Sequence, residues 1–403
     1  MKDNEKLLEG VKVVELATFI AAPSCTKALA DWGADVVKVE APFGDSARYA
    51  GANFKMPILE EENPLFETVN SNKRSVSINL KSEEGKKVFF KLLDKADVLV
   101  TNMRTKALKK LGLCYEQLCE KYPNIIFAQI LGYGEKGPDK DKPGFDYTAY
   151  YARSGIMGTL MEKDTSPINP AAGFGDHQAG MYLASGVCAA LYKKLRTGKG
   201  EKVTVSLFHT GVYGMSLMIA SSKYGNNWPV SRKAPNSPCL NCYKCKDDKW
   251  IQIAIIEYDK YISKLSKMIE RPDIADNEKF NTSKAVKNNI AELVSILEEQ
   301  FKKKTLSEWK EIFTKGDIPF EKVQVWEDVA EDEQAWANDY LYKIQYENGN
   351  SGVLVNTPVK FKKMGLPEFN RAPKLGENTE EVLKDLGISN ENIKNMKEKK
   401  VIK

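Results

Sequence analysis

The run Gly173-Phe174-Gly175-Asp176-His177-Gln178-Ala179-Gly180 sets one carboxylate among glycines at the mouth of a strongly helical stretch. Two roles suit such a carboxylate. Asp is a favoured helix N-cap, because its oxygen accepts a hydrogen bond from an orphan helix N–H. An ionised carboxylate is also acceptor-only and nucleophilic, able to attack an activated carbonyl. Residues Gln178–Arg196 read as the helix, with Met181, Ala184, Val187, Cys188 and Leu191 on one stripe. Lys193, Lys194 and Arg196 gather in its last turns, and Gly198 stands beyond them as a stop. Asp176 is therefore expected at the positive end of a helix macrodipole, which favours its ionised form by about 0.3–1 kcal/mol. The flanking glycines let another molecule approach the backbone closely. Position alone favours the cap.

A helix so placed needs a scaffold. Val11–Leu16 and Asp35–Glu40 read as strands around a helix over Ser24–Trp32 that stops at Gly33, a βαβ unit implying a parallel sheet. The alternation continues with strands over Ser75–Leu80, Asp97–Asn102 and Ile125–Leu131 and helices over Glu83–Ala96 and Arg104–Leu111. This predicts an α/β fold with a Rossmann-like large domain over residues 1–220. Val203–Ile219 reads as an amphipathic connector rather than a further strand. Pro229, Pro235 and Pro238 then mark a linker, and Tyr243–Ala254 reads as a hairpin followed by helices to about Thr314. A smaller α+β domain is predicted over 221–325, with 326–403 returning to complete the large domain.

Two motifs imitate cofactor sites. Gly132-Tyr133-Gly134-Glu135-Lys136-Gly137 fits the dinucleotide fingerprint, but Pro138 to Gly144 follow where a helix should open toward a pyrophosphate. Cys239, Cys242 and Cys245 have metal-like spacing. A strand there would turn successive thiols to opposite faces, so buried free thiols are expected and no metal.

The 403 residues carry 60 basic side chains interleaved with 55 acidic ones, a mild net charge of +5. That argues against a nucleic-acid partner. The opening Met1-Lys2-Asp3-Asn4-Glu5-Lys6 is polar, and the apolar stretch Val212–Ala220 is too short to span a bilayer. With seven cysteines, an odd number, the expectation is a cytoplasmic protein with reduced thiols and no membrane partner.

Taken in order, Leu8–Leu16, Ala30–Glu40, Gly44–Arg48, Asn72-Lys73-Arg74-Ser75, Asn102-Met103-Arg104, Gly132-Tyr133-Gly134 with Gly137-Pro138, Gly173–Asp176, Arg371-Ala372-Pro373 and Leu375–Thr379 resemble the family III CoA-transferases. The resemblance implies that Asp176 is the nucleophile. Its carboxylate attacks an acyl-CoA thioester, giving a mixed anhydride and CoA thiolate, and the thiolate then forms an aspartyl-CoA thioester. An acceptor carboxylate runs the steps in reverse. CoA thioesters are thus substrates and no tightly bound cofactor is implied. The resemblance also places Asn72, Lys73, Arg74, Asn102 and Arg104 as CoA-binding groups, Tyr133 beside the reacting thioester, and the chain in an interlocked homodimer.

Where the formyl-CoA branch has Gln, this chain has Ile20, and Ala234–Cys239 replaces a mobile glycine run. An apolar acyl pocket is therefore expected. Pro138–Asp141 and Glu333–Tyr340 are similar to the 2-hydroxyacyl-CoA transferase branch, implying an (R)-2-hydroxy acid acceptor, 2-hydroxy-4-methylpentanoate before phenyllactate. A racemase of the same fold needs an acid/base pair, and the His of its His–Asp dipeptide is replaced by Phe145. A non-catalytic CoA-binding protein on this fold is the remaining reading.

Overall fold

The computed structural model describes residues 6–403. The chain divides into two compact units. One comprises the residues up to Ile156, Pro170–Ile219 and Glu333–Lys403; the other comprises Met157–Asn169 and Ala220–Asp332. The return therefore begins at 333 rather than 326, and 157–169 joins the second unit.

The first unit is an α/β structure on six parallel strands: β1 (Lys12–Leu16), β2 (Asp35–Glu40), β3 (Arg74–Ser77), β4 (Val98–Thr101), β5 (Ile126–Leu131) and β6 (Glu201–Ser206). Their order, β3-β2-β1-β4-β5-β6, is the doubly wound one. β1, β2, β4 and β5 are Val/Ile-rich and mostly buried, as strands covered on both faces must be. The predicted connector instead begins with β6, an edge strand paired in parallel with β5. Its sequence Glu-Lys-Val-Thr-Val-Ser is half-exposed and alternates polar residues, which hides a strand inside an amphipathic pattern.

Helix α1 (Ala21–Asp31) follows β1, α2 (Glu83–Leu93) and α3 (Thr105–Leu111) flank β4, and α4 (Phe174–Thr197) precedes β6. The approach of α1 and α4 depends on Gly180, where a Cβ would lie 2.6 Å from Ser24 Cβ and 2.7 Å from Ala21 O. The C-terminal segment closes the core. Helices Thr379–Asp385 and Asn390–Glu398 deliver Val382, Leu383, Ile393 and Met396 onto Phe89, Leu93 and Leu108, and Asn79 N donates to Val401 O at 2.8 Å.

Beneath the C-terminal ends of β1 and β2 lies a buried ionic network. Lys38 Nζ is 2.6 Å from Glu15 Oε1 and 2.8 Å from Asp45 Oδ2, and Lys73 Nζ is 2.7 Å from Glu15 Oε2. Burial opposes Glu15's charge, but the two lysines outweigh it and hold its pKa at about 2. Lys38 also donates to Ala17 O, and Asp45 Oδ1 accepts Phe19 N at 3.0 Å, so the network fixes the β1–α1 loop. Lys38→Met is expected to cost about 3–5 kcal/mol, because it leaves buried Asp45 without its cation and Glu15 with Lys73 alone. An earlier urea midpoint for this unit checks it.

The second unit has an antiparallel sheet of β7 (Leu240–Lys244), β8 (Trp250–Ala254) and β9 (Phe320–Lys322) in that order. Helices Tyr258–Met268, Ile290–Phe301 and Leu306–Lys315 belong to the same unit, making it α+β. Its core stacks Tyr243 on Phe301 and Trp309 on Phe313. Cys239 and Cys245 are buried, Cys242 is half-buried, and all are free thiols.

Candidate active site

Strand order reverses between β1 and β4, and in such sheets ligands bind outside the carboxyl ends of the strands at that point. Asn102, just past β4, ties the two loops together there. Its Oδ1 accepts Thr18 N at 3.1 Å and its Nδ2 donates to Thr18 O at 2.6 Å. A cavity of about 390 Å3 opens beside this clasp, lined among others by Phe19, Asn102, Arg104, Phe145 and Asp176.

Asp176 comes into the cavity differently from the reading by sequence. The helix starts four residues earlier, at Phe174, with Gly173 as its N-cap residue at φ +93°. Asp176 is thus the third helical residue and not the cap. The cap comes from 27 residues upstream, where buried Asp146 accepts Gly173 N at 2.7 Å and Gly175 N at 3.0 Å. Those N–H groups are therefore occupied and unavailable to an oxyanion. Gly175 is needed for a different reason: a Cβ there would lie 2.2 Å from Tyr150 Cγ and 2.5 Å from Asp146 Oδ1.

Burial, then the charge of Asp146, push the Asp176 pKa up to about 7. The expectation of a helix end keeping it fully ionised is corrected accordingly: desolvation exceeds the modest dipole contribution. At neutral pH the group divides between acid and carboxylate, so a nucleophilic fraction persists. The adjacent His177 is fixed as well. Ser24 Oγ donates its single proton to Ile20 O at 2.8 Å and lies 3.0 Å from His177 Nδ1. Nδ1–H must therefore be the donor, leaving Nε2 as the bare nitrogen of the neutral ring.

Asn102, Arg104 and Asp176 are brought together. Asn72, Lys73 and Arg74 do not line this cavity and are held elsewhere. Asn72 and Lys73 precede β3 and Arg74 opens it, at the amino edge of the sheet, whereas the crevice lies at the carboxyl edge. Asn72 Nδ2 donates to Asp31 Oδ1 at 2.8 Å, and Lys73 is buried on Glu15. Arg74 makes a bidentate pair with Asp35 and reaches Glu381 at 3.0 Å. Tyr133 sits one residue from the lining Gly132, with its ring 5.0 Å below the Arg153 guanidinium.

Two groups went unnoticed in the sequence. One is Asp146, whose capping partners are distant in the chain. The other is Lys81, four residues past the end of β3 and so on its carboxyl side. It lines a second, mainly apolar cavity of about 620 Å3 with Val39, Phe43, Ile78 and Leu80, and both cavities share Thr18 and Met103.

A doubly wound sheet with a single desolvated aspartate at its switch-point cavity fits an acyl-transfer enzyme. The chain belongs to CoA-transferase family III, whose model matches residues 8–379. It is a CoA-transferase, a class that uses CoA thioesters as substrates. It is 56% identical to the (R)-2-hydroxy-4-methylpentanoate CoA-transferase of Clostridioides difficile, over 98% of this chain and all of that one. It is 49% identical to the cinnamoyl-CoA:phenyllactate CoA-transferase of Clostridium sporogenes, over the whole of this chain and 98% of that one. A CAIB/BAIF family protein from Brucella suis has the same fold, with TM-score 0.81 and 30% identity, covering 94% of this chain and 99% of that one. Among the described residues no helix is long and apolar enough to cross a membrane.

Proposed function

We propose that this enzyme moves CoA from an acyl- or enoyl-CoA to (R)-2-hydroxy-4-methylpentanoate, with Asp176 as the covalent carrier. The observation that carries the chemistry is Asp176 itself, a carboxylate with pKa about 7 opening on the switch-point cavity. Its Oδ attacks the donor thioester carbonyl, the C–S bond breaks, and CoA leaves as thiolate. The thiolate attacks the Asp176 carbonyl carbon of the anhydride and releases the donor acid. The acceptor carboxylate then displaces CoA from the aspartyl thioester, and the thiolate attacks the acceptor's carbonyl to regenerate the carboxylate. Each covalent step exchanges one acyl bond for another, so the energy of the thioester is kept.

The choice of acceptor rests on the 56% identity to the transferase that bears its name; the phenyllactate transferase, at 49%, supports the second choice. The apolar walls of the second cavity, with Lys81 at its edge, suit an adenine and its phosphates, and the shared Thr18 and Met103 suit the connecting arm. Arg104 is exposed and among the described residues is held by a long 3.4 Å contact to Asp141 O, leaving its fork open to a phosphate. Arg104→Ala is expected to raise the KM for acyl-CoA about tenfold, the cost of one charge-assisted bond. Arg74→Ala, far from the cavity, is expected to leave that KM within about twofold. Initial rates against acyl-CoA concentration separate the two.

The enzyme works as a homodimer in the cytoplasm in this reading. Support comes from the free state of its seven cysteines and from exposed Leu195, Tyr213 and Leu217 on one unit. Sedimentation giving a stable monomer would refute the dimer. The chemistry is tested by incubating the protein with acyl-CoA, trapping with hydroxylamine or borohydride and mapping the product by mass spectrometry. Modification at Asp176, absent in Asp176→Asn, is the expected result; exchange surviving in that variant overturns the mechanism.

A further inference from the structure

Two phenylalanines stand exposed in the cavity that holds Asp176. Phe19 is 38% and Phe145 56% exposed, and both line the cavity. Their rings meet edge to face, with centroids 5.8 Å apart and planes at 89°. Exposed aromatic rings are ordinary in ones, but these are held in place by unusual means.

Phe19 has φ +62°, a conformation that costs a bulky L-residue and persists only where its surroundings impose it. Its N–H is gripped by Asp45 Oδ1 at 3.0 Å, and Asp45 is in turn pinned 2.8 Å from fully buried Lys38. Phe145 is fixed from the other side. Its N–H donates to Thr148 Oγ1 at 3.1 Å, and its successor Asp146 anchors the first turn of the helix bearing Asp176. Each ring is thus one peptide step or one hydrogen bond from a buried carboxylate. A fold that only needed to bury these rings would not fix their backbones so as to leave them in the open.

We propose that Phe19 and Phe145 form an apolar jaw that sizes the side chain of the acceptor acid, selecting a branched four-carbon group over short or charged ones. The proposal rests on the transferase reading given above. An aliphatic side chain closing the angle between the rings removes apolar surface from water, and each methylene so buried is worth roughly fourfold in kcat/KM. A second carboxylate placed there would be desolvated against two hydrocarbon faces with no partner.

The test is a series of 2-hydroxy acids: lactate, 2-hydroxybutanoate, 2-hydroxypentanoate, 2-hydroxy-4-methylpentanoate and malate. Exchange is measured with wild type, Phe19→Ala, Phe145→Ala and the milder Phe145→Leu, with melting temperatures confirming folding. In wild type kcat/KM is expected to rise with each carbon, by roughly fourfold per step, and to be lowest for malate. Phe145→Ala and Phe19→Ala should flatten that slope. The six-carbon acid should lose at least about tenfold and lactate no more than about threefold, with Phe145→Leu in between. Equal losses for all acids with a raised KM for acyl-CoA would overturn the proposal, placing the rings on the CoA arm instead. An unchanged slope would also overturn it. Both results leave CoA labelling of Asp176 in wild type intact; if that labelling fails, the transferase reading falls first and the jaw with it.

Discussion

Asp176→Asn is expected to lower kcat for CoA exchange by about 10^4-fold or more while making the folded protein more stable. The amide matches the carboxylate in shape but cannot form the anhydride. Stability moves the other way because burial, followed by the Asp146 charge, raises the Asp176 pKa to about 7. An acid whose pKa is higher folded than unfolded favours the fold while protonated. Between roughly pH 4 and pH 7 the unfolded chain releases this proton and the folded chain keeps it, so stability falls as pH rises through that window. Above pH 7 the accumulated loss is at most about 4 kcal/mol, and Asn escapes it. The variant should therefore melt above wild type at pH 8 and coincide with it near pH 4. Thermal melts at both values check this. A difference of the same size at both would mean that Asp176 titrates as an ordinary surface carboxylate.

Such a group is legible in the sequence only in part. The Val-rich runs of β1, β2 and β4 announce a buried parallel sheet, because strands covered on both faces carry few polar residues. β6 escapes that reading, as an edge strand with Lys202 and Thr204 in its run. Asp176 stands out by its glycine neighbours, yet the glycines suggest a loop where the helix has already begun. What starts that helix is Asp146, and no local pattern links residues so far apart in sequence. The basic groups fall outside the Asp176 cavity for a simpler reason. Asn72, Lys73 and Arg74 lie at the entry to β3 while Lys81 follows its exit by four residues, and in a parallel sheet only the exit end faces the crevice. The rule could have been applied to the sequence once the sheet was recognised as parallel. The jaw was not accessible in that way, because the left-handed backbone of Phe19 depends on Lys38 and Asp45 meeting in the folded core.

The link between the cap and the nucleophile gives the second large effect. Asp146→Asn is expected to move the acid limb of the kcat/KM profile to lower pH and to reduce kcat about 10–100-fold at pH 8. The two effects have separate causes. Asp146 receives Gly173 N and Gly175 N on its two oxygens, and an amide can offer only one oxygen. Its NH2 then faces a backbone donor, one bond is lost at about 1–3 kcal/mol, and the turn that aims Asp176 loosens. The shift of the limb is electrostatic. The Asp146 charge is the second contribution, after burial, to the raised pKa of Asp176, so removing it lets Asp176 ionise at lower pH. Burial remains, so Asp176 stays above the ordinary carboxylate range. A cap with only a structural role would depress kcat at every pH and leave the limb where it was. A pH–rate profile of the variant against wild type, taken with saturating acceptor, distinguishes the two, and a stationary limb would show that the carboxylates do not sense each other's charge.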